Sequence, residues 1–256
     1  NANPYDTEPY YKRALCKFYK GDLVGAYDDA YLAVWSYPNR SAGYYLLAKI
    51  AAQNGNVGEA AKFLKLSLET ESKNLWAQYI LGIFEGDKGI DEKIEESDPL
   101  FFAGFNKEKD AVSYAVETMQ FGLYDLAEKA LEKCDDRAIK FYYLAYIAKK
   151  RGDDEESKKY IALADGCSWK CEFPVRTETV PVLKAAGTPM AHYYLGCIYY
   201  AHERYAEAVA EWKSTVAEIE FAPAYRNMSL GLFDHLGKPE EALAALEKAH
   251  ELMPES

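Results

Sequence analysis

The chain has 256 residues, of which 49% are hydrophobic and 28% are charged, a composition typical of a folded chain with a continuous core. Lys and Arg total 30 against 41 Asp and Glu, and the net charge of −11 disfavours nucleic acid and anionic membranes as partners. No apolar run approaches the roughly 20 residues that a membrane helix needs.

The N-terminus has neither the basic nor the apolar region of a signal peptide. We therefore predict a cytoplasmic chain, or one whose targeting signal lies outside this sequence. Residues 1–6 are interpreted as a tail, because Asn1-Ala2 resembles the remnant of a cleaved affinity tag. The cysteines are odd in number and irregularly spaced, which argues against a disulfide framework; they are Cys16, Cys134, Cys167, Cys171 and Cys197.

A spacing of 34 residues recurs along the chain. Gly21 and Gly55 are each followed five residues later by an alanine, and a third step of 34 reaches Gly89. The same mark returns at later positions, with Glu203 in place of one glycine, namely Gly122, Gly152, Glu203 and Gly237. Each mark lies between two stretches with apolar residues at helical spacing, so the pattern predicts repeated helix-turn-helix units.

Seven units are predicted, and their starts are Thr7, Ser41, Leu75, Glu108, Ala138, Pro189 and Pro223. Units 1–5 occupy residues 7–164, and units 6 and 7 with a C-terminal cap occupy residues 189–256. Prolines at Pro38 and Pro254 are interpreted as the ends of second helices, because proline cannot continue the helical hydrogen bonds.

Two irregularities interrupt the repeats. In unit 3 the second helix, from about Ile90 to Glu96, is cut short by Asp98-Pro99, and the apolar stretch 100–105 must pack somewhere. Between units 5 and 6, residues 165–188 form an irregular connection in which we expect one extra helix near 177–186.

These features resemble the tetratricopeptide repeat, which has Gly at position 15, Ala at position 20 and Pro at position 32 of each unit. The resemblance implies an all-α solenoid that winds as a right-handed superhelix, with the first helices lining its concave side. The last third is also similar to the C-terminal repeats of large bacterial proteins with an N-terminal β-rich, mutarotase-like domain of unknown function. That similarity rests on 173–176, 179–183, 192–196, Arg204-Tyr205, Trp212-Lys213 and 225–227.

Candidate chemistry is sparse. Cys167 and Cys171 with Cys197, His192 and His202 lack the two close ligand pairs typical of structural zinc, so no metal site is predicted. Phosphate-loop, nucleophile-elbow and metalloprotease motifs are missing from the sequence, and no cofactor or catalytic residue is predicted. Acidic runs such as 153–156 follow a turn glycine and are interpreted as helix capping.

The concave groove is the predicted binding site. Tyrosine recurs at the fifth position of five units, and it combines apolar area with a polar tip. The candidate residues are Tyr11, Tyr45, Tyr79, Tyr142, Tyr146, Lys149, Tyr193 and Tyr200. Packing between first helices explains position-five tyrosines equally well, so both interpretations stay open.

The leading hypothesis is a non-catalytic scaffold that binds a protein or peptide, including a segment of its own chain, in this groove. One alternative is a structural appendage that docks on the β-rich domain of a longer chain. Another is an accessory module in carbohydrate binding or processing, since aromatic rings stack on sugars. The sequence leaves the oligomeric state undetermined.

Overall fold

The computed structural model describes residues 6–103, 108–170 and 172–254, and that part of the chain is helical with no strand. Its α-helices are α1 (Glu8–Tyr19), α2 (Leu23–Ala33), α3 (Tyr37–Gln53), α4 (Val57–Thr70), α5 (Leu75–Glu85), α6 (Ile90–Ser97), α7 (Leu100–Ala103), α8 (Glu108–Gln120), α9 (Tyr124–Leu131), α10 (Ala138–Lys150), α11 (Asp154–Gly166), α12 (Val180–Ala186), α13 (Pro189–Ala201), α14 (Tyr205–Glu218), α15 (Ala222–Leu230) and α16 (Pro239–Leu252). A 3₁₀ turn, Thr177–Thr179, precedes α12, and a π-helix, Gly231–His235, follows α15.

The chain divides into two compact units, an N-terminal unit of residues 1–135 and a C-terminal unit of residues 136–256. In each unit consecutive helices pair as antiparallel hairpins. The hairpins are α1 with α2, α3 with α4, α8 with α9, α10 with α11, α13 with α14, and α15 with α16. The all-α class and the repeated hairpins predicted from the sequence are confirmed.

The turn between paired helices explains the glycine spacing. Gly21, Gly55, Gly122, Gly152 and Gly237 all have positive φ, a conformation that a Cβ disfavours. The next residue then caps the second helix in three hairpins. Asp22, Asn56 and Asp153 each accept a hydrogen bond from a backbone N–H three residues later. Capping by Asp153 is what the acidic run predicts.

Glu203 adopts the glycine conformation, with φ of 60°. The expectation for Gly89 is wrong, because its φ is −101° and it precedes α6. The positive φ falls instead on Gly86, where the N–H of Asp87 donates to the carbonyl of Gly82 and closes α5 about one turn early. Unit 3 is thus shortened in its first helix as well as in its second.

Pro38 does not end a second helix, since α2 ends at Ala33 and Pro38 lies in the first turn of α3. Proline is well placed there because the first helical N–H groups have no acceptor within the helix. Pro254 follows the end of α16 at Leu252, as the sequence predicts.

Small residues occupy the crossings of the hairpins. Ala14, Ala48 and Ala115 on first helices are fully buried, as are Ala26, Ala60 and Ala127 on the second helices. In the hairpin of α10 and α11, the Ser157 hydroxyl donates to the carbonyl of Ala145 at 2.9 Å. Helices that cross at such residues approach closely, which positions the first-helix side chains of each hairpin.

One ion-pair cluster ties α1 to α2. Asp29 is 3% exposed, accepts two N–H bonds from Arg13 at 2.5 and 2.6 Å, and lies 2.8 Å from the Lys17 ammonium. The bonds from Arg13, with further help from Lys17, lower the pKa of Asp29 from 3.8 to about 2. The folded state therefore favours the ionised carboxylate.

Asp29→Asn is expected to lower the free energy of unfolding by about 1–2 kcal/mol at pH 7, a figure reduced because Arg13 is half exposed. A lowered folded-state pKa stabilises fully above the unfolded value of 3.8 and is lost as pH falls through 2. Urea unfolding of both proteins from pH 7 to pH 2 measures this. A wild-type advantage that persisted at pH 2 would contradict the ion-pair explanation.

Candidate functional site

The eight predicted groove residues differ in accessibility. Tyr79, Tyr142 and Tyr193 are buried, Tyr11, Tyr45, Tyr146 and Tyr200 are half-buried, and Lys149 is exposed. The phenols of three of these residues are therefore held inside the protein.

In the N-terminal unit, α3 contacts α8 through a polar cluster. The Tyr45 hydroxyl donates to the Glu117 carboxylate at 2.6 Å, and the Lys49 ammonium lies 2.7 Å from the same oxygen. Lys49 also donates to the Gln120 side-chain oxygen at 2.6 Å. Burial and the Glu117 charge raise the pKa of Tyr45, so its hydroxyl stays protonated and donates. The predicted groove positions of α3 are thus occupied by the chain itself.

Gln120 extends this contact to the other helices. Its side-chain N–H donates to the Tyr19 hydroxyl at the end of α1, and its backbone carbonyl accepts from the side-chain amide of Gln53. Tyr11, on α1, has its pKa raised by burial and then by the Glu117 charge. One turn of α8 therefore meets residues of both α1 and α3.

Tyr79 belongs to an aromatic cluster that holds the short α7. Its ring contacts Phe101 and Phe102 edge-on at 5.9 and 5.4 Å, and its hydroxyl bonds that of Tyr114 at 2.7 Å. Trp76 lies 5.0 Å from Phe101. Of the apolar stretch after Asp98-Pro99, Phe101 and Phe102 pack here, whereas Leu100 is exposed and residues 104 and 105 lie outside the described residues.

In the C-terminal unit Tyr142 and Tyr193 are packing residues. The Tyr142 hydroxyl donates to the Asp165 Oδ1 atom at 2.5 Å. The Thr188 hydroxyl donates to the same Asp165 oxygen at 2.8 Å. Tyr193 packs edge-on against Tyr194 and Phe221 at 5.4 and 5.0 Å. Burial is the main cause of the raised pKa of both tyrosines.

Tyr146 and Lys149 face the extra helix of the connection, α12. With Val182 and Ala185 they line a narrow crevice, and the Lys149 ammonium donates to the Ala185 carbonyl at 3.1 Å. Among the described residues no carboxylate pairs with Lys149. Its charge therefore faces solvent at the edge of α12.

Tyr200 meets the π-helix. Its hydroxyl lies 3.2 Å from the His235 Nε2 atom, and the His235 ring stacks on Tyr205 with centroids 3.5 Å apart. Phe233 of the same π-helix has 64% of its surface exposed. This corner is more accessible than the sites of Tyr142 and Tyr193.

The comparisons with known proteins concern the fold. No protein-family model matches the sequence. The chain is similar to the crystal structure of MamA protein, with 19% identity, a TM-score of 0.28, and 96% of this chain and 90% of that chain covered. It is also similar to a tetratricopeptide repeat protein from Parabacteroides merdae ATCC 43184, with 18% identity, a TM-score of 0.32, and 96% and 93% covered.

The described helices form repeated hairpins of the kind found in tetratricopeptide repeats. Turns of positive φ lie 34 residues apart from Gly21 to Gly55 and from Glu203 to Gly237, and small residues are buried where paired helices cross. The candidate surfaces are the contact of α3 with α8 in one unit and the residues Tyr146, Lys149 and Tyr200 in the other.

Among the described residues, the cysteines and histidines that were weighed as metal ligands are not assembled into a site. Over residues 6–103, 108–170 and 172–254, no group of three His, Cys, Asp or Glu side chains is placed to hold a metal, and Cys171 lies outside these residues. His192 pairs with Glu211 at 2.6 Å. Burial raises the pKa of the Cys197 thiol to about 11, so it remains protonated at neutral pH.

In the described ranges no helix is both long and apolar enough to span a membrane.

Sequence reasoning missed two features of these repeats. Glu117 and Gln120 had no motif to mark them, because they contact residues about 70 positions earlier. A second surface lies around Trp35, and the sequence indicates it by three aromatic residues within 31–37.

Proposed function

We propose that the chain is a non-catalytic scaffold that binds a polypeptide through the inner faces of its first helices. The observation that supports this is the polar contact between α8 and α3. There Tyr45, a residue predicted to face the groove, and Lys49, one turn further along α3, hold a carboxylate and an amide from a second helix. An inner face that holds one helix by these contacts has the chemistry to hold a partner.

The C-terminal unit also has a lysine and tyrosines on its first helices, but among the described residues no carboxylate of the chain pairs with this lysine, Lys149. Lys149 is exposed, and Tyr146 and Tyr200 are half-buried, so an ammonium and two phenols remain accessible. We propose that a partner segment with an acidic side chain lies against these residues. An exposed lysine pairs with such a group chiefly as a rim contact that sets specificity and association rate.

Photo-crosslinking tests this proposal. A photoreactive amino acid replaces Tyr146 in one protein, Tyr200 in a second and the exposed Leu163 of α11 in a third. We expect discrete adducts from the first two positions in cells that produce the protein. Equal adducts from Leu163 would contradict a specific inner face.

A charge-reversal pair sharpens the test. Lys149→Glu is expected to reduce the adduct yield at Tyr200 about tenfold, because it replaces attraction by repulsion. Lys159→Glu changes the net charge equally on exposed α11 and should leave the yield unchanged. Equal effects of both variants would attribute the loss to net charge and contradict the proposed site.

A second candidate function is favoured by the same α3–α8 contact. In the N-terminal unit the predicted groove residue Tyr45 is engaged by the chain's own α8, which favours an intramolecular ligand for this part of the groove. Glu117→Gln removes the charge that Lys49 and Tyr45 share, and it should increase amide hydrogen exchange in α8. Unchanged exchange would argue against an internal ligand.

A further inference from the structure

An outward-facing crevice of about 580 Å³ lies where the end of α2, the start of α3 and the end of α4 meet. Its rim carries the most exposed aromatic residues of the N-terminal unit within the described ranges. Trp35 is 74% exposed, Tyr37 69% and Tyr31 50%. Tyr44 and Leu66 contribute to the floor. Large apolar side chains are normally buried because burial stabilises the folded protein. Several of them exposed side by side are typical of an interaction surface.

Three of these rings, those of Tyr31, Tyr37 and Tyr44, are supported by neighbouring side chains. Tyr31 stacks on Tyr27 with centroids 6.3 Å apart, and Tyr44 stacks on Phe63 at 6.2 Å. The Arg40 guanidinium lies over the Tyr37 ring at 5.8 Å while its Nε donates to the Val34 carbonyl. Arg40 is therefore engaged as a support for Tyr37. A surface whose rings are already fixed loses little entropy when a ligand binds.

The polar atoms on the rim favour one kind of ligand. Among the described residues, neither the Trp35 indole N–H nor the hydroxyls of Tyr31 and Tyr37 have a protein hydrogen-bond partner. An indole N–H only donates, and a phenol donates readily. A polyproline II segment presents solvated carbonyls, and each proline lacks an N–H. Acceptors on such a ligand match donors on this rim.

Two charged side chains line the crevice, and Arg40 is already engaged by the Tyr37 ring and the Val34 carbonyl, which leaves the Glu69 carboxylate for a ligand. Glu69 is exposed at the end of α4 and has no ion-pair partner in the part of the chain that the structure describes. In a ligand with a basic residue next to its prolines, the basic side chain would pair with the Glu69 carboxylate while the proline rings lie between the aromatic side chains of the crevice. Aromatic-lined grooves recognise proline-rich segments in this way.

We propose that this crevice binds a proline-rich segment in the polyproline II conformation with a Lys or Arg next to the prolines. The site goes beyond the inner-face function and uses different residues. Proline rings pack between Trp35 and Tyr37, the Trp35 N–H donates to a ligand carbonyl, and Glu69 pairs with the basic side chain.

Fluorescence anisotropy tests the proposal with a labelled peptide of two arginines followed by eight prolines. Saturable binding to the full chain is expected, with no saturable binding of a peptide in which every proline is alanine. The proposal is overturned if the alanine peptide binds equally, or if no saturation appears up to about 1 mM peptide. Competition by a neutral hexasaccharide would also overturn it, in favour of a sugar site.

Variants locate the binding. Trp35→Ala should weaken affinity about tenfold or more, as expected for a central aromatic contact. Trp35→Phe keeps a ring but loses the N–H and should show a smaller loss. Glu69→Gln should weaken affinity about twofold to fivefold and reduce its salt dependence.

Phe233→Ala removes an equally exposed aromatic residue from the C-terminal unit and serves as the control. Its affinity for the proline peptide should equal that of the wild type. Unchanged binding by Trp35→Ala, or equal losses in Trp35→Ala and Phe233→Ala, would overturn the site. Crosslinking at Tyr146 and Tyr200 is read separately, so the failure of either proposal is distinguishable.

Discussion

Trp212→Ala is expected to lower the free energy of unfolding by about 3–5 kcal/mol, measured by chemical denaturation. Trp212 is 2% exposed and is among the largest fully buried side chains of the described residues. Its ring lies against Gly196, and its indole N–H donates to the Tyr193 carbonyl at 3.2 Å. Alanine would leave a cavity at the crossing of α13 and α14 and would remove the indole hydrogen bond to the Tyr193 carbonyl.

Gly196→Ala probes the same contact from the other helix. A Cβ built on Gly196 would lie 2.3 Å from the Trp212 Nε1 atom, so the tryptophan would have to move, at a cost of about 1–3 kcal/mol. In the double variant Gly196→Ala/Trp212→Ala the two costs should not add, because the clash is gone. Strictly additive costs would contradict the contact.

Gly58→Ala is the matched control for that substitution. Gly58 lies in α4 with nothing within 4 Å of an added Cβ, so alanine should stabilise the helix by about 0.5–1 kcal/mol. The same chemical change is thus expected to have opposite signs at the two glycines. Equal effects would show that helix propensity, not packing, decides the outcome at Gly196.

The hairpins could be predicted from the sequence because their determinants are local. A glycine of positive φ, a capping Asp or Asn and an alanine five residues after the glycine all act within one turn of chain. Gly21 and Gly55 show this directly, and their hairpins form where the spacing indicates. Even Glu203 could be located, by counting from Gly237.

Where local signals compete, the prediction failed. Gly86 and Gly89 lie three residues apart, and the 34-residue spacing selects Gly89 although α5 closes at Gly86. Pro38 is compatible with the end of one helix or the first turn of the next, and only the packed structure distinguishes these. The pairing of Lys49 with Glu117 depends on how non-adjacent helices meet, which no local pattern encodes.

The fifth position of each unit could be assigned from the repeat, but its accessibility could not. Tyr45 and Tyr142 occupy this position on α3 and α10, and the repeat predicts that it faces the concave side. Whether solvent reaches them depends on α8 and on the packing of Tyr142 against Asp165 and Tyr194. Tyrosine at the fifth position therefore has two separable roles, and stability measurements can distinguish them.

Tyr142→Ala is expected to lower the free energy of unfolding by about 3–5 kcal/mol, because a fully buried ring is lost and Asp165 loses a hydrogen bond. Tyr142→Phe keeps the ring and should cost only about 1 kcal/mol, since the Thr188 hydroxyl still donates to Asp165. Urea denaturation of both variants measures the difference.

Tyr146→Ala, one turn further along α10, provides the comparison within the same helix. Tyr146 is half-buried and its ring lies 5.3 Å from the Lys150 ammonium, so its removal should cost clearly less than that of Tyr142. A large loss of stability at Tyr142 with a small one at Tyr146 assigns the first to packing and leaves the second for a partner. Similar small losses at both would instead mean that the fifth position contributes little to the core, which its burial contradicts.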